Sequence, residues 1–138
     1  METLLIDAGP LVALLDRSDE HHEWAVEQFS HFSSPLDTCE GAISEAAHLL
    51  QNAGVESWGI LELLDRQIIA IHFDLEFNLD RVISLMKKYA DTPIDFVDAC
   101  LVSMTEAKRD CRLITVDYDF RVYRRFERQT IPLIIPAK

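Results

Sequence analysis

The sequence predicts an α/β fold, a three-layer α/β/α arrangement around a mostly parallel sheet of four or five strands, in a single domain over residues 1–138. Short apolar runs alternate with longer stretches of helical periodicity, and strands joined through helices need crossovers, which make the sheet parallel. The chain is long enough to bury a sizeable core, and its 49% hydrophobic and 27% charged residues are typical of a soluble globular protein.

The first half of the chain predicts two strands and four helices. An apolar run at residues 3–6 stops at the turn-forming letters DAGP, after which LVALLD has helical periodicity. A helix over residues 20–32 ends before Pro35, and residues 36–39 form a weak second strand. The segment GAISEAAHLLQNAG predicts a helix buried on most sides, with Gly54 at its end and Glu45 in its middle, and a further helix covers residues 55–65.

The second half predicts three strands and three helices. Strands are expected at residues 68–73, 112–116 and 131–135, and Pro132 suits an edge position for the last of them. Helices are expected at residues 76–89, from Pro93 to Ala107, and at residues 118–128. The helix ending at Ala107 is apolar over much of its circumference, so we expect it to lie between other elements.

Two aspartates, Asp95 and Asp98, open this buried helix and share one side of its first turn. An acidic residue at the N-cap followed by another three positions later is typical of a capping box. Such pairs cap helices far more often than they bind ligands, so the pair alone does not define a site.

The net charge of −11 excludes a broad basic face for nucleic acid. Residues 1–69 hold 13 acids and only two bases, whereas residues 70–138 hold 11 of each. The acidic half could face a basic protein partner or simply keep the protein soluble. The opening lacks the basic region of a signal peptide, and no apolar run approaches the ~20 residues of a membrane span, so we expect a cytoplasmic protein without a membrane partner.

Cys39, Cys100 and Cys111 have no metal-knuckle spacing and are expected to be buried reduced thiols. The five histidines are scattered along the chain, which disfavours a histidine metal site.

Four acids are expected to meet at one edge of the sheet. Asp7 and Asp117 follow apolar strands, and in a parallel sheet the carboxyl ends of neighbouring strands lie at the same edge, where the helix carrying Asp98 also begins. Glu45, in an apolar helix, is the fourth. Each could be a cap, a turn residue or a solvated side chain, but together they predict a site for a hard divalent cation, Mg²⁺ or Mn²⁺.

At these residues the chain resembles the PIN-domain family, particularly its VapC-type toxins, over nearly its whole length. The motifs are LLIDAGPLVALLD, ISEAAHLL, PIDFVDACLVSMTEA and LITVDYDF. The resemblance implies an Mg²⁺- or Mn²⁺-dependent endoribonuclease that hydrolyses RNA. It further implies that the protein is the toxin of a type II toxin–antitoxin pair and works as a homodimer with a cognate antitoxin. It places the family's catalytic and metal-binding acids at Asp7, Glu45, Asp98 and Asp117, with Asp95 and Thr115 as additional site residues.

One position departs from the family pattern, because Ala8 stands where a Ser or Thr is usual.

The alternative function is a catalytically inactive PIN-like module that binds a protein through its acidic surface. A haloacid-dehalogenase-type phosphatase would need an Asp where Gly9 stands, and the acid arrangement of a receiver domain is absent from the sequence.

The segment YDFRVYRRFER is a candidate RNA-binding surface within this acidic chain. On a helix over residues 118–128, four arginines would lie near aromatic residues that could stack on bases: Arg121, Arg124, Arg125 and Arg128, beside Tyr118, Tyr123 and Phe126. The alternative is a solvated helix face whose arginines pair with acids such as Asp119 and Glu127.

Overall fold

The computed structural model describes residues 2–33 and 35–138. The strands are β1 (Thr3–Ile6), β2 (Leu36–Thr38), β3 (Ile69–Ile71), β4 (Cys111–Ile114), β5 (Arg124–Arg125), β6 (Gln129–Thr130) and β7 (Leu133–Ile134). Five of them form a parallel sheet in the order β3–β2–β1–β4–β7, and β5 and β6 form a separate antiparallel hairpin. The predicted α/β fold with a five-stranded, mostly parallel sheet is confirmed.

Six α-helices connect the strands in the described part of the chain. They are α1 (Ala8–Leu15), α2 (His22–Ser30), α3 (Glu40–Asn52), α4 (Gly59–Asp65), α5 (Leu79–Lys88) and α6 (Phe96–Ala107), and a 3-10 helix follows at Tyr118–Arg121. In the described residues, no helix is long and apolar enough to cross a membrane.

The core forms between the central strands and α6. Leu5 and Ile6 of β1 and Leu113 and Ile114 of β4 are almost fully buried, because both strands have neighbours on either side. Every α6 residue from 98 to 105 is buried, as its apolar circumference predicts. The three cysteines are free and buried, which confirms the expectation for them.

Aspartates at the N-cap set where two of the helices begin. The predicted turn at residues 7–10 is instead the first turn of α1, with Asp7 as N-cap and Pro10 inside the turn, where a proline N–H is not needed. Helix α6 begins at Phe96 with Asp95 as its N-cap, as the capping interpretation predicts, so that Pro93 lies before the helix and not in its first turn. Helix α3 is buried along one side only, by Ala42, Ala46 and Leu50, rather than on most sides.

The predicted helix over residues 118–128 is wrong. The chain forms one 3-10 turn and then the β5–β6 hairpin, which reverses through Phe126 and Glu127 at φ of 49° and 70°. A left-handed backbone conformation at two consecutive residues that are not glycine is uncommon. Neither phenylalanine nor glutamate favours this conformation, so the sequence does not predict the turn.

Arg125 attaches this hairpin to the C-terminal end of α6. Its side chain is buried, and Nη2 donates hydrogen bonds to the carbonyl oxygens of Thr105, Lys108 and Arg109 at 2.6, 3.1 and 3.3 Å. A cation at a helix C-terminus satisfies carbonyls that lack a partner within the helix and complements the helix dipole. Arg125 therefore stabilises the fold rather than offering a charge to solvent.

Gly9 allows α1 to approach the segment after β4 closely. A Cβ at this position would clash with Cγ2 of Val116. We predict that Gly9→Ala lowers the free energy of unfolding by about 1–3 kcal/mol, because the strain of overpacking exceeds the gain in helix propensity. Denaturant unfolding measures this change.

The matched control is Gly59→Ala, where the new Cβ would stand 3.6 Å from Leu15 Cδ1, an ordinary contact. Its stability should be unchanged or slightly higher. Equal unfolding free energies for the two variants would contradict the close approach at Gly9.

Candidate active site

The pairing of β1 with β4 brings Asp7 and Asp117 to the same edge of the sheet. The strands run parallel with Ile6 opposite Ile114, and the Asp7 N–H donates to the Ile114 carbonyl at 3.0 Å. The buried Thr115 hydroxyl joins the two acids, since Oγ1 donates to Asp7 Oδ2 at 2.9 Å and accepts from the Asp117 N–H at 3.0 Å. The predicted neighbourhood of strands one and four is confirmed.

Asp98 lies buried at the start of α6, where it forms a capping box with Asp95. The Asp98 N–H donates to Asp95 Oδ1 at 2.8 Å, and the Asp95 N–H donates to Asp98 Oδ2 at 3.3 Å. The capping interpretation of this pair is therefore correct. Capping leaves room for a second role, because it occupies only one oxygen of Asp98.

The charges of the acids act on one another across separate elements. Burial raises the pKa of Asp7 to about 6, with Asp117 and Asp95 adding to the rise against opposing hydrogen bonds from Ala8 and Thr115. Burial raises the pKa of Asp98 to about 8, and the charge of Asp95 is the next cause, followed further down by those of Asp7 and Asp117. Like charges close together disfavour ionisation, so the neighbouring acids raise the pKa values of Asp7 and Asp98 further.

The pKa values of Glu45 and Asp117 are also affected by neighbouring acids, although these two side chains are less buried. Glu45 lies on the exposed side of α3, and its pKa is raised by partial desolvation and then by the charges of Asp7, Asp95 and Asp117. The pKa of Asp117 is also raised, first by burial. The charges of Asp7 and Asp117 thus act both on Asp98 and on Glu45, which lies on the solvent side.

Each aspartate of the quartet has at least one oxygen fixed by the fold. The N–H of Ala8 donates to Asp7 Oδ1 at 2.7 Å, and that of Asp119 donates to Asp117 Oδ1 at 2.9 Å. Among the described residues, Asp98 Oδ1 and Asp117 Oδ2 have no hydrogen-bond donor, yet the only buried side-chain polar atom without a partner is Arg125 Nε. The two free oxygens therefore keep some solvent-accessible surface.

The donor set suits a hard divalent cation, because carboxylate oxygens that repel one another are neutralised by Mg²⁺ or Mn²⁺. As oriented within residues 2–33 and 35–138, no three His, Cys, Asp or Glu side chains already form a metal-binding group. The chemistry of the residues nevertheless fits such a cation, because carboxylate oxygens are its preferred ligands.

The four predicted RNA-binding arginines do not form a row, because the helix that would carry them is absent. Arg125 is buried, and Arg124 Nη1 donates to the carbonyls of Arg121, Val122 and Tyr123 at 2.7–3.1 Å. The Arg121 guanidinium lies 4.7 Å from the centroid of the Tyr118 ring, and Arg128 is exposed. A role for Arg121, Arg124 and Arg128 in binding RNA stays a prediction.

Tyr123 is the site residue that the sequence did not single out for this place. Its side chain is completely buried and cannot stack on a base, and its hydroxyl donates to Asp98 Oδ2 at 3.3 Å. A tyrosine in an arginine-rich segment gives no signal for such a contact, which depends on the hairpin that replaces the predicted helix.

The family model of the PIN domain matches residues 4–125, and the chain therefore belongs to the PIN-domain family. Among solved structures it is similar to Mycobacterium tuberculosis VapC20, a toxin that cleaves the sarcin–ricin loop. The two share 15% sequence identity with a TM-score of 0.79, over 92% of this chain and 99% of that one. At this level of identity, the structural likeness shows that the two proteins share a fold and shows nothing more. No curated protein matches the sequence significantly.

The raised pKa of Asp98 predicts a pH-dependent stability in metal-free buffer. Its ordinary pKa is 3.8 and its folded pKa is about 8, so between these values the native state binds more protons than the unfolded state. The free energy of unfolding should then fall as the pH rises from about 4 to about 8. Asp98→Asn should flatten this fall and raise the melting temperature at pH 8 by about 4 °C or more.

The control is Asp65→Asn, which makes the same charge change at the exposed end of α4. Thermal unfolding between pH 4 and 8 in the presence of a chelator would compare both variants with the unaltered protein. Identical slopes for Asp98→Asn and Asp65→Asn would contradict the electrostatic cost assigned to Asp98.

Proposed function

We propose that this protein is an Mg²⁺- or Mn²⁺-dependent endoribonuclease that hydrolyses phosphodiester bonds of RNA. The observation that carries the proposal is a set of acids, following β1, within α3 and α6 and following β4, whose pKa values are raised first by burial and then in part by the charges of neighbouring acids. Membership in the PIN-domain family, a family of nucleases, supports this substrate chemistry.

Asp7, Asp98 and Asp117 would hold the cation, with Glu45 at the solvent side of the set. A bound divalent cation supplies stabilisation of negative charge on the phosphodiester and a lowered pKa for a coordinated water. Thr115 orients Asp7, and Asp95 contributes negative charge at the start of α6. The raised pKa of Glu45 suits a carboxylate that accepts a proton from the attacking water.

The proposed substrate class rests on the family and on the acidic residues of the site. The fold is shared with VapC20, a toxin that cleaves the sarcin–ricin loop, and this likeness supports RNA as the substrate. A catalytically inactive protein-binding module would not need carboxylates held at raised pKa, because keeping like charges together costs stability that such a module has no use for.

The proposed catalytic set predicts loss of activity in two variants. Asp98→Asn and Asp117→Asn should each lower Mg²⁺-dependent cleavage of RNA by at least about 100-fold, because each removes a charged cation ligand while its side-chain shape is kept. Single-turnover cleavage of a labelled RNA measures the rate.

Asp65→Asn is again the matched control and should cleave at the unaltered rate. Mg²⁺ should also raise the melting temperatures of the unaltered protein and of Asp65→Asn. The rise should be smaller for Asp98→Asn, which has lost a cation ligand. Full cleavage by Asp98→Asn would place the chemistry elsewhere and leave the inactive-module alternative to be tested.

We further propose that the protein is the toxin of a type II toxin–antitoxin pair and resides in the cytoplasm. The VapC-like fold supports this, and so does the acidic half of the chain, which suits a basic antitoxin segment. A small DNA-binding protein encoded beside this gene would be the expected antitoxin.

A homodimer is also proposed, and the outer side of α5 supports it. Leu79, Ile83 and Met86 are 38–45% exposed at helical spacing, and the neighbouring Phe77 is 87% exposed. A run of exposed apolar side chains along one helix face is typical of an interface.

Ile83→Glu should therefore weaken self-association by about tenfold or more, because it places a charge in the centre of this apolar face. Sedimentation equilibrium over a range of protein concentrations measures the dissociation constant. Val26→Glu, on the exposed side of α2, is the control and should leave it unchanged. Equal effects of both substitutions, or a monomeric unaltered protein, would contradict an α5 interface.

A further inference from the structure

Tyr123 occupies the space between the C-terminal hairpin and the start of α6. It follows the 3-10 helix, and its ring packs edge-to-face against Phe120 and Tyr89 with centroids 5.5 and 5.2 Å apart. The side chain has no exposed surface. Packing on two sides fixes the direction in which its hydroxyl points.

That hydroxyl has a carboxylate as its partner. It donates to Asp98 Oδ2 at 3.3 Å, deep in the protein on the side away from solvent. A buried hydroxyl without a partner would be costly. The contact therefore restrains Asp98 as well as satisfying Tyr123.

The two oxygens of Asp98 have different environments as a result. Oδ2 accepts from both the Tyr123 hydroxyl and the Asp95 N–H, each at 3.3 Å. Oδ1 has no donor among the described residues and is not among the fully buried unpaired atoms, so it keeps some accessible surface. Two donors on Oδ2 restrain the carboxylate and leave Oδ1 free to accept a ligand.

We propose that Tyr123 is a positioning residue, which orients Asp98 so that Oδ1 is presented to the divalent cation. This inference rests on the proposed function, because it assumes that Asp98 is a cation ligand. It adds a residue outside the acidic quartet, contributed by the C-terminal segment and acting only through Asp98. Partners that orient a metal ligand typically change cation affinity by about 10- to 100-fold.

Tyr89 offers a matched control within the same aromatic cluster. It is also buried and contacts the Tyr123 ring, but its hydroxyl accepts from the Arg124 N–H at 2.9 Å instead of reaching an acid. Tyr89→Phe removes a hydroxyl of the same kind and should lower stability without altering the orientation of Asp98. Tyr123→Phe should alter both.

The test is a titration of the full chain with Mn²⁺ at one fixed pH. Binding is measured by calorimetry or from the electron paramagnetic resonance signal of free Mn²⁺. We expect Tyr123→Phe to raise the dissociation constant about tenfold and Tyr89→Phe to leave it unchanged. Tyr123→4-aminophenylalanine retains a donor at the same place and should restore most of the affinity. Tyr123→4-fluorophenylalanine fills the hydroxyl's space without a donor and replaces the Phe variant if that variant does not fold.

An unchanged dissociation constant in the donor-free variants, or an equal loss in Tyr89→Phe, would overturn the positioning role. In either case Asp98→Asn would still weaken Mn²⁺ binding, and the proposed function would stand. If the unaltered protein did not bind Mn²⁺, the proposed function would fail and this inference with it. The two failures are thus distinguished in one set of titrations.

Discussion

The parallel pairing of β1 with β4 is the constraint on which the rest of the site depends. It sets Asp7 beside the segment that follows Ile114, and the Thr115 hydroxyl then connects Asp7 to the backbone of Asp117. Like charges are held near one another by hydrogen bonds from the protein, without a basic side chain among the donors identified. Burial and then the charges of neighbouring acids raise the pKa values of Asp7 and Asp98.

Much of this could be read from the sequence, since an apolar run followed directly by an acid defines both a strand and the direction of the side chain at its end. Asp7 and Asp117 are of this kind, and Asp98 could be placed because its helix is apolar on nearly all sides. The position of Glu45 was harder to predict, because helix α3 is less buried than its alanine and leucine content suggests. That the acids act as catalytic ligands is an inference from chemistry and family.

The C-terminal segment shows why the rest could not be predicted. Arginines and aromatics between residues 118 and 128 recur at helical spacing, but the left-handed backbone at Phe126 and Glu127 turns the chain into a hairpin. Tertiary contacts decide the outcome, because Glu106 accepts from the Phe126 N–H and binds Arg81 through both carboxylate oxygens. Arg125 and Tyr123 consequently point inwards, one to each end of α6.

The fifth strand has a practical bearing on how the chain can be shortened. Strand β7 lies beyond residue 125, where the match to the PIN domain ends, yet the N–H of Leu113 donates to the Pro132 carbonyl at 2.8 Å and that of Thr115 to the Ile134 carbonyl at 3.1 Å. A fragment cut at the family boundary would leave β4 as a bare, apolar border open to intermolecular strand addition. It would also release the backbone of Thr115, so an expression fragment limited to the matched segment would damage the site while retaining all four acids.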